Sequence, residues 1–170
     1  MGGVHLASPS APGVTLARLT TVPVNPELPA RVFAPAPAYL VSREKIREFS
    51  RAVLSQNALN LDPAAARAAG YADVVAPPTF AVVVQEATLA QLLAEPDAGI
   101  DFSRVVHGEQ NFRYSRPIVA GDELTATLRV LSVKTLGGNA MVASESHIVD
   151  AKGAHVVTAT STLVVRGDDA

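Results

Sequence analysis

The spacing of apolar residues changes period along this chain, and each change marks an element. The run Ala38-Tyr39-Leu40-Val41 reads as a short strand, and Ser42 after it is a helix N-cap. From Arg43 to Ser55, apolar residues recur at Ile46, Phe49 and Val53 with charges on the opposite face, which predicts an amphipathic helix. A second, shorter helix is punctuated by Asp62 as N-cap, Pro63 at its first position, an alanine-rich body and Gly70 as its stop. After Pro77-Pro78-Thr79 comes Phe80 to Ala94. Its Val82-Val83-Val84 would tolerate a strand, but Gln85 to Ala94 favours helix. The early half is apolar all round, as expected of a helix enclosed by other structure. Beyond Pro96 and Gly99 the period falls to two. Val105, Val106, Phe112 and Tyr114 mark one strand, Leu124–Val133 a second, Met141–Val149 a third and Val156–Val165 the last. Turns at Leu136-Gly137-Gly138-Asn139 and Asp150-Ala151-Lys152-Gly153 join them.

Helices gathered in the first half and hairpin-linked strands in the second argue for an α+β fold, not a βαβ repeat. The 170 residues favour a single domain. The first 36 residues, with prolines at positions 9, 12, 23, 26, 29 and 35, read as an extended arm, and 168–170 as a short tail around a domain of residues 37–167. The arm lacks the continuous apolar stretch of a secretory signal and the arginine content of a mitochondrial presequence, so a cytoplasmic location is expected.

Composition narrows the chemistry. A formal net charge of −2, from 14 basic and 16 acidic residues, gives no electrostatic footprint for nucleic acid or an anionic membrane. No apolar run reaches the roughly 18 residues of a membrane span. Cysteine is absent, which removes disulfides and thiolate chemistry, and the four histidines (His5, His107, His147, His155) show no metal-ligand spacing. No metal and no cofactor are expected.

Four blocks, in order, carry a family resemblance: Arg43-Glu44-Lys45-Ile46-Arg47-Glu48-Phe49, Val75-Ala76-Pro77-Pro78-Thr79-Phe80, Val105-Val106-His107-Gly108-Glu109-Gln110, and Arg116-Pro117-Ile118-Val119-Ala120-Gly121-Asp122-Glu123-Leu124. Together they resemble the MaoC-like dehydratases and hydratases of the FAS1-type N-terminal class, including the actinobacterial companion subunits of (R)-3-hydroxyacyl-ACP dehydratases. The resemblance spans Ala38 to Arg166. It implies a hot-dog fold, in which a curved antiparallel sheet wraps a long central helix. It also implies a homodimer, or a heterodimer with a dyad-bearing subunit, and a 3-hydroxyacyl or enoyl thioester of CoA or acyl carrier protein as ligand.

Active members of that family place an Asp and a His five residues apart after the first long helix, and a backbone N–H at the start of the central helix stabilises the thioester enolate. Laying that motif on Ser55–Asp62 puts Asn57 at the Asp position and Asp62 at the His position. Asparagine takes no proton, and a solvated Asp, with a pKa of about 4, is a weak base at neutrality. The proton shuttle is therefore altered. The catalytic candidates are Asp62, Asn57 and His107, the last on a strand that runs close to the substrate tunnel in hot-dog dimers. Thr79, Tyr39, Gln110 and Tyr114 are the substrate-binding candidates, Thr79 through its backbone N–H. Each has a plainer role open to it: Asp62 before Pro63 is a good N-cap, Asn57 a helix cap, His107 a structural hydrogen bond, and a buried tyrosine usually finds a backbone partner.

Three functions stay open at this level. The chain is a hydro-lyase-family subunit that holds the acyl chain for a catalytic partner, a self-sufficient enzyme of modified chemistry (dehydration, isomerisation or cyclisation in a polyketide or natural-product pathway), or a non-catalytic acyl-binding protein. A hot-dog thioesterase would want a carboxylate on the central helix, where Glu86 is the one candidate.

Overall fold

The computed structural model describes residues 23–167. A 3₁₀ turn, Leu28–Ala30, precedes strand β1 (Tyr39–Leu40). Then come helices α1 (Arg43–Ala52), α2 (Ala58–Leu61), α3 (Pro63–Ala68) and α4 (Ala81–Ala94), a second 3₁₀ turn at Phe102–Arg104, and strands β2 (Val105–Tyr114), β3 (Glu123–Leu136), β4 (Asn139–Asp150) and β5 (His155–Val165). Both N-caps read from the sequence hold: Ser42 accepts from Lys45 N, and Asp62 from Ala64 N with Pro63 behind it. The one-turn helix α2 was not expected.

The five strands form one antiparallel sheet in the order β1-β3-β4-β5-β2. Register shifts at Val130/Ser132 in β3, His107/Glu109 in β2 and Ile148/Val149 in β4 mark bulges, which add local twist and bend the sheet. The bent sheet closes on α4, which meets β3, β4 and β5. A curled antiparallel sheet around one long helix is the hot-dog arrangement expected from the sequence.

The core has two apolar halves. One joins Ile46, Phe80, Val84, Ile118, Ile148 and Val157, the other Leu28, Phe33, Leu92, Leu128, Val142 and Leu163. A buried polar strip separates them. Thr88 Oγ1 lies 2.9 Å from Ser146 Oγ and donates to Gln85 O, Gln85 Nε2 reaches Ser161 Oγ, and Ser161 meets Ser144 at 3.2 Å. Paired in this way, the hydroxyls and the amide escape the penalty of polar groups buried alone. The strip explains why α4 has no strongly polar face directed at the sheet and yet is not wholly apolar there.

Packed structure begins before Pro37. Leu28, Phe33 and Ala36, in the stretch read as an arm, are buried, and Ala36 N donates to Ala126 O. Arg31 ties this segment to Glu95 and Asp97 just past α4. Residues 1–22 of that arm and the tail lie outside the described residues. Gly99 makes the tightest approach in this region. It sits at φ +66°, and a Cβ there would fall 2.4 Å from Pro23 O. Gly99→Ala is expected to cost about 2 kcal/mol or more, since the left-handed conformation and the clash add. Urea unfolding measures it, and a change under about 0.5 kcal/mol would mean that residues 23–25 are not docked as described.

Candidate functional site

Between α1–α2, the start of α4 and the turn after β2 lies a cleft of ≈ 520 Å³. Its walls are apolar (Leu59, Val75, Ala76, Ile118), and its polar groups come from Ser55, Asn57, Asn60, Tyr114, Ser115 and Arg116. A mainly apolar concavity with a few convergent polar groups is the usual form of a small-molecule site. A second cleft, of ≈ 430 Å³, lies at the far end of the sheet beside Gly99, Gly138 and Gly167 and holds none of the expected site residues.

The polar floor is set by how α1 ends. Leu54, at φ +56°, is the one non-glycine residue among those described in the left-handed region, and it is 85% exposed. The reversal it makes lets Ser55 N close back onto Ser50 O at 2.8 Å. Ser55 Oγ then donates to Asn60 Oδ1 at 2.8 Å, and Asn60 Nδ2 donates to Val75 O at 2.7 Å. Asn60 is buried despite its amide. This short chain of bonds pins α2 to the strand-like segment before α4, where Val75 N also donates to Leu59 O.

Of the seven residues proposed from sequence, the structure brings two into this cleft. Asn57 lies at its rim, with Oδ1 accepting from Leu59 N as the N-cap of α2. Tyr114 lies at its floor. Asp62 is exposed, outside the lining, with its carboxylate on Ala64 N. Thr79 is exposed in the turn before α4, where Pro78 and not Thr79 faces the cleft. Tyr39 is in β1, at the opposite edge of the sheet from β2, packed on the core. His107 and Gln110 are on β2, with His107 Nε2 3.1 Å from Glu109 O and Gln110 in register with Ser161. The outer-face histidines pair as cross-strand neighbours, His147 stacking on His155 with centroids 4.8 Å apart.

The residues missed are Ser55 and Asn60. They stand five apart, the separation of the family's catalytic pair, and their side chains touch. Shifting the motif two residues toward the N-terminus would have found them. The Asp62 carboxylate, at the His position of the motif as laid on Ser55–Asp62, is spent on capping α3.

The cleft's electrostatics are quiet. Burial pushes the Tyr114 phenol up to about 12, so it stays protonated. Arg116 is fixed by Asp122 at 2.7 Å and Asp150 at 3.2 Å, and its guanidinium is raised by that bonding to Asp122. Asp122 also accepts from Val119 N, which shapes the turn at Gly121. Ser115 Oγ meets His155 Nδ1 at 2.6 Å. The His155 ring, lowered by burial and by His147 and Arg113, belongs to the outer face of the sheet. Among the described residues no three His, Asp or Glu groups cluster to hold a metal, and no helix is long and apolar enough to cross a membrane.

Comparison with known proteins agrees with this picture. The profile of the FAS1-like dehydratase domain region matches residues 28–159. A UPF0336 protein of Clavibacter michiganensis is 70% identical over 149 residues, covering 88% of this chain and all of the relative, and one of Thermobifida fusca is 47% identical over 145 residues, covering 85% and 95%. Among solved structures, a MaoC-like dehydratase superposes with a TM-score of 0.72 at 33% identity, over 84% of this chain but 44% of that longer one. The HadBC (3R-hydroxyacyl-ACP dehydratase) complex of Mycobacterium tuberculosis gives 0.68 at 29% identity, over 79% and 96%. Fold, profile and relatives converge, and this chain belongs to the FAS1-like dehydratase-region family of MaoC-like hot-dog proteins.

Proposed function

We propose that this chain is the acyl-holding subunit of a heteromeric 3-hydroxyacyl-thioester dehydratase, and that its partner supplies the catalytic Asp/His pair. The observation that carries this reading is the composition of the cleft floor. Where active relatives need a proton acceptor and a proton shuttle five residues apart, this chain has a hydroxyl and an amide, Ser55 and Asn60, bonded to each other. Neither takes a proton near neutrality, Tyr114 keeps its own, and Arg116 is locked in ion pairs. An apolar cleft with such a floor can hold an acyl chain and orient a hydroxyl or carbonyl, but it cannot abstract the α-proton of a 3-hydroxyacyl thioester.

Partnering has support of its own. The HadBC structure is a complex of two subunits. In this chain β2 is an edge of the sheet, so one row of its backbone groups is open to a further strand. Across the bulge at His107/Glu109, His107, Gln110, Phe112 and Tyr114 stand opposite Leu163, Ser161, Ala159 and Val157 and so share one face of β2. A chain added along that edge would lie beside His107 and Gln110 and approach the cleft at Tyr114. This gives His107 and Gln110 an interface role and leaves proton transfer to the partner. The acyl group, carried on CoA or acyl carrier protein, is the ligand.

The purified chain alone is expected to be nearly silent in hydration of crotonyl- and longer enoyl-thioesters. Addition of a dyad-bearing MaoC-like partner should raise the rate by about 100-fold or more, the usual contribution of general acid–base groups. Substantial turnover by the lone chain, with the partner adding nothing, would refute the companion role in favour of a self-sufficient enzyme.

A further inference from the structure

We infer that His155 is a positioning residue of the cleft, which holds the Ser115 wall while the stacked His147–His155 pair is uncharged and releases it in acid. The inference rests on the acyl-holding reading above and gives that site a pH dependence. Ser115, Arg116, Pro117 and Ile118 form one continuous wall of the cleft. Two bonds tie the start of that wall to the first residues of β5. Ser115 N donates to Val156 O at 2.9 Å, and Ser115 Oγ meets His155 Nδ1 at 2.6 Å. The register of β4 on β5 prepares both. Val149 stands opposite His155 and Ile148 opposite Val157, so Val156 is the extra residue of a bulge and its carbonyl is left for Ser115. The other ring nitrogen, His155 Nε2, lies 2.9 Å from Thr158 Oγ1. A hydroxyl on each nitrogen fixes the ring in one orientation, and His147 stacks on its face at 4.8 Å, the planes 30° apart.

The surrounding elements supply no carboxylate to balance a charge on this pair. On β2, Arg113 stands opposite Thr158, as His147 does on β4, so the guanidinium and the imidazoles share the outer face. Glu145 of β4 is bound to Arg129 of β3 at 2.9 Å. In the turn from β4 to β5, Asp150 accepts from Lys152 N and Ala154 N and pairs with Arg116, while Lys152 adds a further positive charge. Glu109 of β2, bonded to Asn111, stands opposite Thr162, four residues along β5 from Thr158, and Glu123 of β3 pairs with Leu40 of β1. The His155 ring is accordingly lowered, by burial first and then by His147 and Arg113. Folding thus favours the neutral ring, and its hold on Ser115 is complete above about pH 6.5 and is lost as pH falls below that value. The protonated ring, repelled by Arg113 and by the charge that His147 gains in acid, turns out to water, which its half-buried position allows. The Ser115 hydroxyl then loses its partner. The backbone bond to Val156 O carries no titratable group and stays, so the wall loosens without opening.

The test uses the full chain, in complex with its partner where binding requires it, and trans-2-decenoyl-pantetheine, a thioester with no group that titrates between pH 5.5 and 7.5. Wild type should bind it about fivefold more weakly at pH 5.5 than at pH 7.5, a modest coupling between two sites. Ser115→Ala should show the weakened affinity at both pH values. His147→Phe keeps a stacked ring without its charge, so it should bind as wild type does at pH 7.5 and lose about twofold or less at pH 5.5. A partner's own titration is common to all three proteins and cancels in the comparison. In titrations followed by NMR, the Ser115 amide signal should move with the midpoint of the His155 ring, and that midpoint should rise in His147→Phe. A binding profile unchanged by His147→Phe, wild-type binding by Ser115→Ala, or a Ser115 amide that ignores the His155 titration overturns the positioning role alone. Failure of wild type to bind at either pH overturns the acyl-holding reading, and the amide signal then still decides whether His155 holds Ser115.

Discussion

Phe80→Ala is expected to be the most damaging single truncation in the chain, costing about 4 kcal/mol. Phe80 is fully buried and leads the largest fully buried side chains. It makes an edge-to-face contact with Phe49 at 5.4 Å and 79°, which ties α1 to the start of α4. Alanine would lose the transfer energy of the ring, leave a cavity that flanking elements cannot fill, and forfeit the aromatic pair. For a chain of this length the melting temperature should fall by roughly 10 °C. The effect should reach the cleft, because Pro78, whose carbonyl accepts from Tyr114, lies two residues before Phe80. A loss under about 1 kcal/mol in thermal or urea unfolding would show that the first apolar cluster is not organised around this ring.

Asn60→Leu should follow, at about 3 kcal/mol. The amide is buried and serves two partners, Ser55 Oγ and the Val75 carbonyl. Leucine has a similar volume but satisfies neither, and each polar group stranded in a buried place costs about 1–3 kcal/mol. Asp62→Ala, which removes an exposed N-cap, should cost only about 1 kcal/mol by comparison. The order of the two losses in urea unfolding is the check. If Asp62 proved the costlier, the cleft floor would not be the anchor of α2 that the hydrogen bonds describe. Asn60→Leu should also weaken thioester binding, whereas Asp62→Ala should leave it unchanged, because one residue lines the cleft and the other does not.

The two variants also separate chemistry from capping within one short segment. Between Ser55 and Pro63 the chain holds five polar side chains, Ser55, Gln56, Asn57, Asn60 and Asp62. Two of them, Asn57 and Asp62, satisfy the N–H groups at the starts of α2 and α3. Ser55 and Asn60 meet in the cleft. Any altered chemistry built on Asp62 would first have to release its carboxylate from Ala64 N and bring it from the exposed surface to the cleft.

The sequence by itself determined what depends on neighbours along the chain. The period of 3.6 placed α1 and the period of 2 the four long strands, because burying one face of an element writes its period into the residues, while helix propensity from Gln85 to Ala94 placed α4. Ser42, Asp62-Pro63 and Gly70 fixed helix ends through local backbone bonds. The four sequence blocks fixed the family. Tertiary structure decided what depends on residues far apart. It showed Leu28 and Phe33 inside the core, because their burial is against β3–β5 and α4 and leaves no local period. It showed α2, whose four residues are too few to display one. And it selected the cleft pair: all five polar side chains from Ser55 to Asp62 are plausible by type, but only the reversal at Leu54 and the carbonyl of Val75, 15 residues from Asn60, turn Ser55 and Asn60 toward each other. Tyr114 was a substrate-binding candidate in the sequence, and the structure places it in the cleft. That its hydroxyl donates to the Pro78 carbonyl ahead of α4 is a contact across 36 residues, and only the closing of the sheet on the helix makes it.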